Sequence, residues 1–392
     1  SLPYLILICA MTICSTIPSF QIIMIVTLVA SLMHYANNKL IETGFSLFPK
    51  EKEKQKDLRY IRGRLQYVRL LLEYPQLKNN LPVITNGPRA EKYGVETLKE
   101  RRAEYLEQFE SIRQKLIKEA EKDHPKIKQE LILMDAKKVS ETIDAIDKLL
   151  PIFEEIDNIV DLIEEYKDNY EGAREAREIE KAFFIFVSDV LSKELMSIYD
   201  TRVTGDHVRR MVAFANVLGE IAYPDASLKF RYRLMLAALF HDIGKNLIPD
   251  SVLNSQNGFD ATEKHIMDFH SVFGDIILRA SILQKLGYFA GNHHAAKNAK
   301  RGYSYESKLR EISEQPIDFK RDENDKAEDD LILEIIALSD VYEALSPKLS
   351  MDSERLYQLP TRIESIKNIL AALDFRGNLT EQKQAVKLLE EI

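Results

Sequence analysis

The chain has 392 residues, which is enough for one large or two ordinary domains with a sizeable core. It carries 54 Lys and Arg against 62 Asp and Glu, and the formal net charge of -8 argues against a globally basic surface, so we expect no DNA or RNA partner. Only 14 Gly, 13 Pro and two Cys occur, so the composition predicts an all-α protein without a disulfide framework or a thiolate metal site.

Residues 1–36 predict a membrane anchor. No charged residue occurs from Leu2 to Met33, and residues 18–36 are about as long as the roughly 20 residues of a transmembrane helix. We interpret the apolar run before residue 18 as the end of a truncated upstream span; a buried core helix is the alternative to a span at 18–36. Nine Lys or Arg against four Asp or Glu lie between Lys39 and Arg69, which favours the cytoplasmic side. We therefore expect a protein of the inner membrane, in contact with lipid, whose later residues are cytoplasmic.

Residues 37–180 predict a helical linker or input region. From residue 95 onward the sequence is typical of long, charged helices, interrupted near Pro125 and Pro151. Apolar residues spaced three and four apart form a seam like that of a coiled coil: Ile143, Ile146, Leu150, Phe153, Ile156, Val160 and Ile163. Such a seam is compatible with a homodimer formed through this region.

Histidines are concentrated in one part of the chain. Six of the eight lie between His207 and His294. Imidazole together with carboxylate, in the absence of nearby cysteine, suits divalent iron, manganese or zinc. We interpret His265 as a surface residue and expect a catalytic metal centre to be formed by the others: His207, His241, His270, His293 and His294.

Two aspartates and a lysine complete the predicted centre. Asp242 can join two cations because a carboxylate has two oxygens, whereas a neutral imidazole offers one lone pair. Adjacent side chains on a helix point about 100° apart, so His241 and Asp242 can meet one centre only if the metal lies between their directions, which we expect near the helix end that Gly244 indicates; the same constraint applies to His293 and His294. Asp340 lies in an apolar run and is a further candidate ligand, with a paired core aspartate as the alternative. Lys245 would share the helical face of His241 if the helix continued, and would then meet a phosphate; a solvated lysine is the alternative.

This set of residues favours phosphodiester hydrolysis. Two cations that share a water lower its pKa toward about 7 and stabilise charge on a phosphoryl oxygen, so a metal-activated hydroxide can attack without a covalent intermediate. The chain has no P-loop, Rossmann glycine pattern or serine elbow. Kinases, dehydrogenases and acyl hydrolases are therefore disfavoured.

The sequence resembles the HD superfamily of metal-dependent phosphohydrolases, and more narrowly its HD-GYP branch. The similarity covers about residues 181–350 and is most specific in HDIGK at 241–245, IPDSVLN at 248–254 and HSVFG at 270–274. It implies that residues 181–392 form a helical bundle around two divalent ions, iron or manganese, and that the enzyme hydrolyses cyclic di-GMP. It also implies a role for Lys245 at the scissile phosphate. The ligands implied for the first ion are His207, His241, Asp242 and Asp340, and those for the second are Asp242, His270, His293 and His294.

The sequence departs from that branch at several positions. Val203 replaces the glutamate that some members use for a third metal, so we expect two ions. HHAAK at 293–297 and GYS at 302–304 differ from the HHExxDGxGYP pattern, and EALSPK at 343–348 lacks the arginines that help to bind the dinucleotide. We interpret the acidic run at 322–330 as a solvated loop. Two alternatives to cyclic di-GMP hydrolysis follow: an HD enzyme for another nucleotide, and a sensor that binds cyclic di-GMP without cleaving it.

Overall fold

The computed structural model describes eight stretches of the chain: residues 58–73, 95–169, 173–195, 198–199, 202–255, 258–295, 302–317 and 324–345. Every regular element within these stretches is helical, which confirms the all-α prediction. No helix in them is both long enough and apolar enough to cross a membrane. The predicted anchor at 1–36, with its span at 18–36, lies outside the described residues and remains a prediction.

The first six described helices precede the histidine-rich region. They are α1 (Leu58–Glu73), α2 (Val95–Ala120), α3 (Pro125–Leu133), α4 (Ala136–Asp147), α5 (Leu150–Asn169) and α6 (Ala173–Ile185), the last continued by a π-helical turn (Phe186–Leu191) and a short turn (Ser192–Leu195). Pro125 begins α3 and Pro151 lies in the first turn of α5, where a missing backbone N–H disrupts no helical hydrogen bond. The Asp135 carboxylate accepts from two backbone N–H groups at the start of α4.

The later helices carry the histidines. They are α7 (Arg202–Ala222), α8 (Leu228–Phe240), α9 (Asp250–Leu253), α10 (Ala261–Asp268), α11 (His270–Arg279), α12 (Gly287–Asn292), α13 (Tyr305–Glu311) and α14 (Lys326–Leu345). A 3₁₀ turn (Ile243–Leu247) follows α8. Ser227 caps α8, and Asp260 with Glu263 forms a capping box at α10, so the polar side chains of the sequence fix where these helices begin.

The chain divides into two compact units. The first comprises residues 1–83 and 151–179, and in it the Arg64 guanidinium pairs with the Glu155 carboxylate between α1 and α5. The second comprises residues 84–150 and 180–392 and contains all the predicted site residues. The predicted division into an anchor (1–36), an input region (37–180) and a phosphohydrolase domain (181–392) remains a prediction about function.

Helix α11 lies at the core of the second unit. All ten of its residues are buried, and it packs against α2, α12 and the 3₁₀ turn Ile243–Leu247. Helix α7 packs against α8 and α14. These two groups of helices bring together side chains that are far apart in the sequence.

The predicted apolar seam is buried by the chain itself. Each of its seven side chains is at most 9% exposed; those up to Leu150 belong to the second unit and the others to the first. The surface that a coiled-coil dimer would need is therefore not available along this stripe. A homodimer through this region finds no support in the structure.

The acidic run at 322–330 is described from residue 324 onward, and its interpretation as a loop is wrong for the residues from 326 onward. Helix α14 begins at Lys326, and Asp329 is buried where it pairs with Arg233 of α8. The Tyr288 hydroxyl donates to Asp330 Oδ1 at 2.9 Å. Because a cation and a hydroxyl face these carboxylates, they can leave bulk water without being left unpaired.

Candidate metal centre

Seven predicted side chains converge in the second unit, although they come from three helices and two helix ends. Helix α7 supplies one, the segment after α8 two, the start of α11 one, the segment after α12 two and α14 one. Groups of three have ligand atoms within 4.8 Å of one another. The seven are His207, His241, Asp242, His270, His293, His294 and Asp340.

Both adjacent pairs follow a helix end. Helix α8 ends at Phe240, and Asp242 has left helical geometry, with φ of -100° and ψ of 8°. Helix α12 ends at Asn292, directly before His293 and His294. The change in backbone direction allows neighbouring side chains to face one centre, as the sequence predicts for His241 and Asp242.

Gly244 permits the close packing that completes this arrangement. A Cβ atom at this position would lie 1.9 Å from the His270 carbonyl oxygen and 2.4 Å from the Gly274 amide nitrogen. The 3₁₀ turn therefore lies directly on the backbone of α11. This contact places Asp242 beside His270.

The two carboxylate oxygens of Asp242 face two different pairs of histidines. Oδ2 lies 3.4 Å from His207 Nε2 and 3.3 Å from His241 Nε2. Oδ1 lies 3.4 Å from His270 Nε2 and 3.8 Å from His293 Nε2. Asp242 is 1% exposed. A carboxylate held in this way is arranged to join two cations.

Each of the remaining two side chains, Asp340 and His294, lies beside one of these two pairs of histidines. Asp340 Oδ1 lies 3.3 Å from His207 Nε2 and 3.9 Å from His241 Nε2. His294 Nε2 lies 3.2 Å from His270 Nε2. The centre thus has two halves, which we call the α7 half and the α11 half. Asp242 is common to both; the α7 half also contains His207, His241 and Asp340, and the α11 half His270, His293 and His294.

Backbone carbonyls orient three of the imidazoles. In each, the Nδ1 atom lies 2.7–2.8 Å from the carbonyl oxygen three residues earlier: Ala238 for His241, Met267 for His270 and Ala290 for His293. A carbonyl oxygen only accepts, so each Nδ1 carries the hydrogen and each Nε2 presents its lone pair. All three lone pairs are therefore available to a cation.

The distances between these nitrogens fit metal coordination. The Nε2 atoms of His270 and His293 lie 3.2 Å apart, yet neither carries a hydrogen to donate to the other. Two nitrogens bound at right angles to one ion, each at about 2.1 Å, would be about 3.0 Å apart. In the α7 half, the buried Nε2 atoms of His207 and His241 have no hydrogen-bond partner among the described residues. Nitrogen and oxygen donors without sulfur suit divalent iron, manganese or zinc.

The electrostatics of the two halves differ. Burial lowers the pKa of His270 to about 4 and that of His294 to about 3, so both are neutral at pH 7. Burial also opposes protonation of His207, but the carboxylates of Asp242, Asp340 and Glu343 outweigh it and raise the His207 pKa to about 10. The carboxylates around His207 thus stabilise a positive charge at this position. The α11 half instead offers neutral imidazoles, which can bind a cation as ligands.

Lys245 lies at the centre by a different route from the one that the helical pattern suggests. Helix α8 does not continue to Lys245, so the condition for a helical face shared with His241 is not met. Lys245 lies in the 3₁₀ turn, where residues three apart share a face, and its Nζ is 2.5 Å from Asp242 Oδ2. Its ammonium group is therefore beside the Asp242 carboxylate.

His265 lies away from the centre and is partly buried. Its Nε2 is 3.4 Å from Glu119 Oε2 and its Nδ1 is 3.4 Å from Glu311 Oε2. The two ring nitrogens face different carboxylates. His265 is thus a link between helices and not a fully exposed residue.

Sequence reasoning missed the side chain behind His207. Glu343 is 5% exposed, its Oε2 accepts from His207 Nδ1 at 2.5 Å, and its Oε1 accepts from Arg210 Nε at 2.6 Å. A carboxylate one helical turn after Asp340, in a mainly apolar run, was the signal available in the sequence. The sequence indicates Tyr303 only as part of the GYS triplet. In the structure, the centroid of its ring lies 4.8 Å from that of the His294 ring.

Comparisons with known proteins agree with this geometry. Residues 204–345 match the family model of the HD domain. The 3'3'-cGAMP-specific phosphodiesterase 2 of Vibrio cholerae serotype O1 is 30% identical over 196 residues, which are 48% of this chain and 32% of that relative. The chain thus spans about a third of the length of this curated relative. No solved structure gives a significant match. Residues 204–345 of the chain therefore form an HD domain and belong to the HD superfamily.

Proposed function

We propose that this chain is a metal-dependent phosphodiesterase of the HD-GYP type that hydrolyses a cyclic dinucleotide, with cyclic di-GMP as the first candidate. The observation that carries the proposal is the position of Asp242, whose two oxygens face two separate sets of imidazole nitrogens. A carboxylate shared by two sets of nitrogen donors is the arrangement that a pair of cations requires.

The donor set assigns each side chain a role in this proposal. His207, His241 and Asp340 would hold one divalent ion, and His270, His293 and His294 the other, with Asp242 common to both. The chemistry that two bound divalent ions supply is a lowered pKa of water and stabilisation of negative charge on a phosphoryl oxygen. Iron and manganese are the proposed ions.

The protein contributes orientation and charge. The carbonyls behind three imidazoles hold their lone pairs toward the centre before any ligand arrives, so little reorganisation is needed. The Lys245 ammonium group, partly exposed beside Asp242, would contact an oxygen of the scissile phosphate. The burial of the imidazoles keeps bulk water away from them and strengthens their electrostatic interactions.

The substrate class rests on the similarities. The relative from Vibrio cholerae is by name a phosphodiesterase specific for 3'3'-cGAMP, and the HDIGK and IPDSVLN motifs resemble those of the HD-GYP branch. Both support a cyclic dinucleotide. The altered segments HHAAK and EALSPK favour a second candidate, an HD phosphohydrolase for another phosphorylated nucleotide.

A substrate panel tests the proposal. The full chain, purified anaerobically and supplied with Fe²⁺ or Mn²⁺, would be incubated with cyclic di-GMP, 3'3'-cGAMP, a linear dinucleotide and a polyphosphorylated purine nucleotide. We expect a cyclic dinucleotide to be opened and expect no product from an Asp242→Ala variant. Turnover of the polyphosphorylated nucleotide alone would establish the second candidate instead. If the metal-loaded chain binds cyclic di-GMP but cleaves nothing, the protein is a sensor and the proposal is wrong.

We further propose that residues 18–36 anchor the enzyme in the inner membrane with its catalytic domain in the cytoplasm. The support is the uncharged stretch to Met33 and the basic excess after Lys39. Membrane fractionation with accessibility labelling on each side tests this proposal separately from the activity.

A further inference from the structure

His207 differs from the other oriented imidazoles in what lies behind it. The Nδ1 atoms of His241, His270 and His293 each donate to a backbone carbonyl close in sequence. His207 Nδ1 instead donates to the carboxylate of Glu343, which is 136 residues away on α14. A carboxylate is a stronger acceptor than a carbonyl and increases the basicity of the imidazole that donates to it.

Arg210 holds this carboxylate in place. Its Nε donates to Glu343 Oε1 at 2.6 Å, and Arg210 lies three residues after His207, one turn along α7. The carboxylate of Glu343 therefore bridges two side chains of the same helix. The guanidinium also compensates the charge of a carboxylate that is 5% exposed and would otherwise be costly to bury.

The contacts of Glu343 are confined to one half of the centre. Among the described residues its hydrogen-bond partners are His207 and Arg210, while the imidazoles of His270 and His293 in the α11 half are oriented by the carbonyls of Met267 and Ala290. The loss of Glu343 would free the His207 ring to rotate or to change tautomer. It would leave the orientation of His270 and His293 unchanged.

We propose that Glu343, held by Arg210, is a positioning residue that fixes the tautomer and donor strength of His207 and thereby sets the affinity of the ion in the α7 half. This inference rests on the proposed two-ion centre. It assigns to Glu343 a contribution to metal affinity that is selective for one of the two ions.

Metal binding to the full chain tests the inference. Equilibrium dialysis against Mn²⁺ alone would be performed on the unaltered chain and on Glu343→Ala, Glu343→Gln and Arg210→Gln variants. Glu334→Gln is the matched control, because Glu334 is a buried glutamate of the same helix, 2% exposed, and lies six residues before Asp340. Thermal unfolding of each variant, measured without added metal, shows whether it folds.

We expect the unaltered chain to bind two Mn²⁺ ions and Glu343→Ala to bind one of them about 10- to 100-fold more weakly. The other ion should retain its affinity within about twofold. Glu343→Gln should lose less, because the amide oxygen still accepts from His207 Nδ1 while the charge is gone. Arg210→Gln should also weaken the same ion, since Glu343 is then less firmly held.

Other outcomes would separate failure of the inference from failure of the proposed function. If the unaltered chain binds two ions and the Glu343 variants bind both with unchanged affinity, the inference is wrong and the centre stands. Equal weakening of both ions, or the same loss in Glu334→Gln, would also overturn it, because a general effect on folding would then explain the result. If the unaltered chain binds no ion, the proposed function itself fails. Should Glu343→Ala not fold, the isosteric Glu343→Gln decides by the same criteria.

Discussion

Lys245 is the side chain that we propose as the contact between the candidate metal centre and a substrate phosphate. Its Nζ lies 2.5 Å from Asp242 Oδ2, and its side chain is 14% exposed, so the ammonium group is within reach of a bound ligand. We predict that Lys245→Gln lowers kcat/KM for the cyclic dinucleotide about 100-fold, because one positive charge near the phosphoryl oxygens is lost. Metal content should stay at that of the unaltered chain.

Steady-state kinetics and metal analysis on the same preparation check this prediction. Lys126→Gln serves as the control, since Lys126 is 77% exposed on α3 and pairs only with Glu130 at 4.0 Å. If kcat/KM is unchanged in Lys245→Gln, Lys245 has no role in catalysis. A parallel loss of metal would mean that Lys245 supports the ligands and not the substrate.

The sequence predicts which side chains meet at the candidate centre better than it predicts which groups orient them. His241 and His293 are oriented by carbonyls three residues earlier, so their geometry is set locally once the helix ends are known. The partner of His207 comes from α14, 136 residues away, and no local pattern connects the two. In the sequence, Glu343 is therefore visible only as the first residue of EALSPK, the segment that differs from the family motif.

At the level of elements, the contact between the 3₁₀ turn Ile243–Leu247 and α11 sets the geometry of the centre. We predict that Gly244→Ala lowers the free energy of unfolding by about 3 kcal/mol or more, because the new Cβ would meet backbone atoms that cannot rotate away. Metal binding should fall as well, since Asp242 precedes this turn. Chemical denaturation and metal analysis would measure the two effects.

A second glycine provides the control for this change. Gly63 lies in α1, and a Cβ atom added there would meet nothing within 4 Å. Gly63→Ala should therefore stabilise its helix by about 0.5–1 kcal/mol and leave metal content unaltered. If Gly244→Ala were as stable and as rich in metal as Gly63→Ala, the proposed role of the turn would be wrong.

Helix boundaries were predictable where a single residue determines them. Pro125 starts α3, as the local sequence indicates, whereas α8 ends at Phe240, four residues before the Gly244 that the sequence offers as the helix end. The start of α14 at Lys326 was not predicted, because its acidic first turn is typical of a loop as much as of a helix N-terminus. The buried ion pair between Asp329 and Arg233 favours the helix over the loop. Because Arg233 lies on α8, this pair depends on a helix that is distant in the sequence.

On the scale of the whole molecule, residues outside the HD match contact the region around the centre. The Tyr305 hydroxyl donates to Gln108 Oε1 at 2.9 Å, and Lys115 Nζ pairs with Glu314 Oε1 at 2.5 Å. Both partners lie on α2, which also packs against α11. These contacts join residues about two hundred positions apart, so charge and periodicity in α2 alone indicated a long helix but not its place beside the metal ligands.

We propose that two ions are bound by Asp242, which is common to both, and by two sets of three side chains. X-ray diffraction from crystals of the Mn²⁺-loaded full chain, with anomalous differences recorded near the manganese edge, tests it most directly. We expect two anomalous peaks in contact with Asp242. One should lie beside His207, His241 and Asp340, and the other beside His270, His293 and His294. A single peak, no peak, or peaks away from these side chains would contradict it.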